Sequence, residues 1–279
     1  MSNQAAPTKD LIAHHREPIN FVEVAARYKN DELVLTGITC RFEHGTSTAL
    51  IGPNGSGKTT LLRVMCGLTP PCQGAINPDP SKKSVALVAQ LPERKAWLPV
   101  TVNNVLRMSR YRDRGLVKRI GPADRSIIEE AAERLEVLGL LDRQFGELSG
   151  GQRQRVMVAQ ALAQNADVLL MDEPITGLDL PSQETILRII DDERGRGRIV
   201  VITTHHMDEA EVCDQVLLLA TRMVAVGTPG EVLTNKNLRE AFGIRTAHGD
   251  GRDDMFFDEH AGHSEEMIHV LDDHRHGHH

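Results

Sequence analysis

At 279 residues, with 40% hydrophobic and 25% charged side chains, the chain is long enough for one large α/β domain with a subdomain, or for two small domains. Its formal net charge of −7 provides no overall basic field, and aromatics at 3% leave few stacking platforms, so a nucleic-acid partner is not expected. Cys40, Cys66, Cys72 and Cys213 form no C-x-x-C pair and read as reduced, partly buried cysteines of a cytosolic protein.

Apolar runs such as Val216 to Ala220 are far shorter than the roughly 20 residues a spanning helix needs. No continuous apolar stretch precedes Ile19, which argues against a secretory signal. Any work at a membrane is therefore expected to pass through a partner.

Residues 1–18 are polar, carry Pro7, Pro18 and the pair His14–His15, and are expected to form a flexible leader. Strand-like alternation begins at Ile19 and ends at Tyr28, an aromatic placed either to stack on an adenine or simply to pack. Two further strands are predicted over Val34 to Leu35 and Ile38 to Phe42, followed by a turn at His44–Gly45.

The apolar run Thr48 to Ile51 leads into Gly52, Pro53, Asn54, Gly55, Ser56, Gly57, Lys58, Thr59 and Thr60, and then into the helical pattern of Leu61, Leu62, Val64 and Met65. Strand, Gly-rich loop and helix in this order make a phosphate-binding loop. Its glycines free the backbone to turn N–H groups inward on an anion, and the helix adds the positive end of its dipole. Lys58 supplies a mobile charge for the β and γ phosphates, and the Thr59 hydroxyl can ligate Mg²⁺.

A Pro/Gly-rich turn (Pro70, Pro71, Gly74) precedes a buried-type strand, Val85 to Ala89, that ends in Gln90. The next stretch is irregular and charged until helical periodicity returns at Ile128, Ala131, Leu135 and Leu138, opened by a capping box of Ser126 with Glu129. Residues of about 91–165 are expected to form a helical subdomain inserted into the sheet-bearing core. Within them, Leu148-Ser149-Gly150-Gly151-Gln152 carries capping-box spacing at a helix N-terminus with exposed donors.

The strand Val168 to Met171 ends in Asp172-Glu173-Pro174. Alternation along the strand sends the two carboxylates to opposite faces and separate jobs: Asp172 to hold Mg²⁺ through its water shell, Glu173 to act as general base on a water. A last strand, Ile199 to Thr203, ends in Thr204-His205-His206, and either histidine read alone is as consistent with the surface as with a site.

With these motifs in this order, the chain resembles the ATP-binding subunit of ABC transporters over roughly Ile19 to Gly243. The resemblance implies an α/β phosphate-loop NTPase core with an N-terminal antiparallel β subdomain and the inserted helical subdomain. It makes Tyr28 the adenine-stacking residue, Gln90 the lid residue near Mg²⁺ and the water, His205 the γ-phosphate contact, and Asp179 part of a dimer seam. Ser149, Gly150, Gly151 and Gln152 of one copy would complete the ATP site of a second, in a homodimer that binds two ATP with Mg²⁺.

The implied partners are integral-membrane permease subunits on the cytoplasmic face and, indirectly, an extracytoplasmic solute-binding protein. Leu91 to Arg110 would form the coupling surface. Segments around Trp97 to Val102, Gly227 to Leu233 and Asn237 to Gly243 look like those of zinc, manganese and iron uptake ATPases. An ATPase for an iron chelate or other solute is the alternative, with a soluble ABC ATPase behind it. Two departures stand out: Ile175 after the D-E-P, where a small or polar residue is usual, and His206, where an Asp is.

Residues 244–279 interleave eight histidines (His248, His260, His263, His269, His274, His276, His278, His279) with aspartates and few large apolar groups. They are expected to be a mobile tail that builds no core. The tail is either solvated without a role or a chelator of Zn²⁺ or a similar borderline ion.

Overall fold

The computed structural model describes residues 17–27, 32–80, 83–90, 99–111 and 120–243. The chain divides into a unit over Met1–Ile244 and a second over Arg245–His279, and the described residues all belong to the first. Tyr28, Trp97 and the histidine-rich tail lie outside them.

The core strands are β3 (Thr46–Ile51), β5 (Val85–Val88), β6 (Val168–Asp172), β7 (Ile199–Thr203) and β8 (Gln215–Ala220). They pair in parallel in the order β8-β3-β7-β6-β5. Strands β6 and β7 are buried at every position, which is why they read as continuous apolar runs rather than alternating ones. Alternation nevertheless sorts their side chains. Val168, Leu170, Ile199, Val201 and Leu50 join one apolar cluster with Leu61, Leu62 and Met65 of helix α1 (Lys58–Met65), while Leu169, Met171, Val200, Ile202 and Ile51 join another on the opposite face.

The first face is closed by an antiparallel sheet of β1 (Ile19–Arg27), β2 (Leu33–Phe42) and β4 (Gln73–Asn77). Phe21 and Phe42 meet edge to face there, with centroids 5.7 Å apart. This sheet joins the core sheet where β2 meets β9 (Arg222–Gly227) through the single pair Thr36↔Arg222.

Two expectations change. The residues 34–42 form one strand, not two, because Gly37 absorbs the bend at φ +59. Strand β4 replaces the expected loop around Gly74: it has one buried apolar residue, Ile76, so its sequence carries no strand period. Gly74 is required there, since a Cβ would stand 2.3 Å from the Glu23 carbonyl oxygen of β1.

The second face carries α2 (Val102–Met108), α3 (Pro122–Arg134), α4 (Gly150–Leu162) and α5 (Leu180–Gly195), whose apolar residues share one cluster with the strands. Helix α3 starts a turn earlier than the capping box Ser126/Glu129 suggests. Pro122 takes its first turn, where a missing N–H costs nothing, and Asp124 accepts from the Gly121 N–H at 3.1 Å. Leu138 falls in a 3-10 turn after the helix and is 43% exposed, outside the predicted apolar stripe.

Asp124 also accepts from Arg110 Nε at 3.1 Å, and Arg110 Nη1 reaches the Ala163 carbonyl at 2.9 Å. That buried ion pair ties α2, α3 and the end of α4 together. Short helices α6 (Met207–Glu211) and α7 (Pro229–Val232) and helix α8 (Asn235–Phe242) complete the unit. Among the described residues no helix is long and apolar enough to cross a membrane.

Candidate functional site

The parallel order β3-β7-β6-β5 brings four C-terminal strand ends side by side, about 4.8 Å apart per step. Each end delivers its own group: the loop 52–57, Thr203 to His206, Asp172 with Glu173, and Gln90. Such an edge is where ligands of open α/β sheets bind.

The loop is wedged between neighbouring backbone segments. A Cβ on Gly52 would stand 2.1 Å from the Leu219 carbonyl oxygen, and one on Gly57 2.4 Å from Leu35 Cδ2. Gly55 and Gly57 take φ values of +80 and +99, open to glycine at little cost. Ser56 donates its N–H to the Pro53 carbonyl at 3.1 Å, closing a turn, and its buried hydroxyl has no hydrogen-bond partner. Pro53 is half-buried, and Asn54 and Gly55 are exposed at the loop's open side.

Lys58 is buried, and its ammonium donates to the carbonyls of Gly52 at 2.6 Å and Pro53 at 3.2 Å. Burial lowers its pKa, opposed by the nearby Glu173 and Asp172 carboxylates. Thr59 is exposed, and its hydroxyl donates to Asp172 Oδ2 at 2.9 Å, whereas Thr60 is buried.

Gln90 Nε2 donates to Glu173 Oε2 at 3.0 Å, and His205 Nδ1 lies 4.0 Å from Glu173 Oε1. The structure therefore places His205 beside Glu173, with the His206 ring tilted against the His205 ring at a centroid distance of 4.1 Å. The carboxylates are separated differently from the strand alternation expected of them. Strand β6 ends at Asp172, and Glu173 turns out of it at φ +48, a left-handed conformation costing a non-glycine residue roughly 1–3 kcal/mol.

Sequence reasoning missed Thr203. Its hydroxyl donates to Asp172 Oδ1 at 2.6 Å and accepts the Glu173 N–H at 2.8 Å. Its position at a strand end, two residues before His205, is a signal only once β6 and β7 are known to be neighbours.

Ser149 and Gln152 form the expected capping box at the start of α4: each side chain accepts the other's backbone N–H, at 3.2 and 3.1 Å. Ser149 and Gly150 are exposed. Gly151 is buried against the start of α5, where a Cβ would stand 2.7 Å from Asp179 Oδ1 and 2.6 Å from Ser182 Oγ. Asp179 itself is exposed, and Ile175 packs into the core. Among predicted site residues, Lys58, Thr59, Gln90, Asp172, Glu173 and His205 come together at the strand ends. The side chains of Ser149 and Gln152 instead accept each other's backbone N–H.

A glycine-rich loop at the start of a helix, a buried ammonium and an oxygen-only pair of Thr59 and Asp172 suit a phosphate chain carrying a hard cation. A family model for the ABC transporter matches residues 35–176. The chain belongs to the ABC transporter family. It is an ATP-hydrolysing subunit with the α/β cassette fold, its antiparallel β subdomain and its inserted helices.

Among curated relatives, this ABC ATPase is 36% identical over 228 residues to the manganese transport system ATP-binding protein MntA of Synechocystis sp., covering 79% of this chain and 88% of that protein. It is 38% identical over 218 residues to the zinc transport system ATP-binding protein TroB of Treponema pallidum, covering 76% and 82%. Among solved structures, an inward-facing metal-chelate type ABC transporter aligns with a TM-score of 0.72 at 28% identity, covering 81% of this chain and 88% of that one.

Proposed function

We propose that this ABC ATPase powers uptake of a divalent metal ion, zinc, manganese or iron, as a homodimer on the cytoplasmic face of permease subunits fed by an extracytoplasmic solute-binding protein. The observation that carries the ATPase site is the run of contacts Thr59–Asp172 and Gln90–Glu173–His205 at one sheet edge. Kinship to proteins named for manganese and zinc transport supports the cargo.

In this reading the loop N–H groups of Asn54 to Lys58 and the N-terminus of α1 bind the ATP phosphates. Lys58 turns its ammonium from the loop carbonyls to the β and γ oxygens, an exchange of neutral acceptors for anionic ones. Thr59 and Asp172 hold Mg²⁺, which when bound offsets the phosphate charge. Glu173 accepts the proton of the attacking water, Gln90 and His205 orient that water and the γ-phosphate, and Tyr28 stacks on the adenine. The start of α4, Ser149 to Gln152, exposed at Ser149 and Gly150, supplies donors to the site of the second copy. Binding energy is thus realised only in the closed pair, whose closure and reopening drive the permease.

Uptake of labelled Zn²⁺, Mn²⁺, Fe²⁺ and an iron chelate, compared between cells with and without this chain, tests the cargo. Loss of uptake for one or more of the free ions is expected. Loss confined to the chelate would favour the likeness to the metal-chelate type transporter, and unchanged uptake of all four would remove the proposal.

A further inference from the structure

Thr203 sits at the last position of β7, fully buried, directly opposite Asp172 in the parallel register. A hydroxyl has one proton to give and lone pairs to receive, and here both functions are used. The proton goes to Asp172 Oδ1, and a lone pair takes the Glu173 N–H. We infer that Thr203 is a positioning residue for hydrolysis, setting the cation-holding carboxylate and the base with a single hydroxyl.

The argument has two halves. Asp172 has Thr59 on Oδ2 and Thr203 on Oδ1, so neither oxygen can rotate away and the remaining lone pairs face a fixed direction. Glu173 leaves the strand at φ +48, where its N–H no longer continues the sheet ladder. The Thr203 oxygen replaces the lost backbone acceptor and holds the turn that aims the Glu173 carboxylate at Gln90 and His205. Valine has the same shape as threonine and lacks the hydroxyl. The inference rests on the ATPase reading of the same site.

The test uses the full chain with Thr203→Val and Thr203→Ser. Calorimetry with a non-hydrolysable ATP analogue, in Mg²⁺ and in EDTA, reads the cation half. A charged hydrogen bond is lost, so Thr203→Val should cut the Mg²⁺-dependent gain in affinity roughly 10-fold and leave the EDTA affinity within about 2-fold. Turnover with the membrane partner reads the base half: kcat should fall about 10- to 100-fold at saturating Mg²⁺ and ATP, where the weakened cation binding, which raises KM, no longer contributes. Thr203→Ser, which restores the hydroxyl, should recover both to within about 3-fold. A native Mg²⁺ effect and native kcat in Thr203→Val would overturn the inference, as would equal losses in the Val and Ser variants, which would make the methyl group the agent. If Thr203→Val proves unstable, the Ser variant decides alone: native behaviour supports the hydroxyl, and a loss overturns it. Absence of any Mg²⁺-dependent nucleotide binding in the unsubstituted chain would instead strike the ATPase reading itself.

Discussion

Replacing Glu173 with Gln exchanges one carboxylate oxygen for an amide nitrogen and keeps the shape. The amide oxygen can still accept from Gln90 Nε2, now at 3.0 Å from Glu173 Oε2, and the backbone bond to Thr203 is untouched. Nucleotide binding should therefore survive, while the capacity to take a proton from water is lost. A positioned general base is worth roughly 10²- to 10⁴-fold, or about 3–5 kcal/mol of barrier at 1.36 kcal/mol per decade. ATP should then hold the variant as a closed pair on a sizing column, because closure no longer ends in hydrolysis. A second consequence follows for Lys58, whose lowered pKa is opposed by Glu173 first and Asp172 second. With Glu173 neutral, the lysine pKa falls further, so as pH rises nucleotide affinity should be lost at lower pH in the variant than in the native chain. ATPase assays in the assembled transporter, calorimetry across pH and sizing chromatography check these outcomes. Turnover near the native rate would refute the assignment of the base.

His205→Ala should reduce turnover by roughly 10²-fold while His206→Ala leaves it nearly unchanged, since the former histidine lies beside Glu173; the reverse result in an ATPase assay would refute that placement. Asp124→Ala removes the carboxylate that Arg110 Nε meets at 3.1 Å and the acceptor of the Gly121 N–H, and should lower stability by up to about 3–5 kcal/mol, read by denaturant unfolding. Truncation after Gly243 should abolish Zn²⁺ binding seen by calorimetry on the full chain, with affinity in the full chain falling below about pH 6.5 as imidazoles protonate. Equal binding by the two would leave the histidine-rich tail without that role.

Features that depend on neighbouring residues in sequence were legible. The phosphate loop needs a strand, spaced glycines and a helix in one short stretch, and Ser149/Gln152 form their capping box within three residues. Features set by tertiary partners were not. Strand β4 is recruited by β1 rather than by its own apolar period, and Gly74 looks like a turn residue until Glu23 stands against it. Helix α3 starts before its local signal because Ser126 and Glu129 satisfy the capping rule while Asp124, fixed by Arg110 across the helical layer, supplies the actual bond.

The order of strands decides the rest, and it turns alternation into a statement about chemistry. Val168 and Leu170 face the α1 side of the sheet, so Asp172 continues that series and meets Thr59 at the start of α1. Ile199 and Val201 face the same side, so Thr203 does too, and its hydroxyl meets Asp172 across the β6–β7 pair. Two residues further on, in the bend that follows β7, it is His205 that lies by Glu173. Glu173 itself breaks the series. In an extended continuation of β6 it would point to the α2–α5 face with Leu169 and Met171. Its left-handed turn brings it back toward the loop, at a backbone cost that Thr203 partly offsets by accepting its N–H. The residue proposed as the base thus carries backbone strain, where a rigid sheet edge holds a conformation the free chain would avoid.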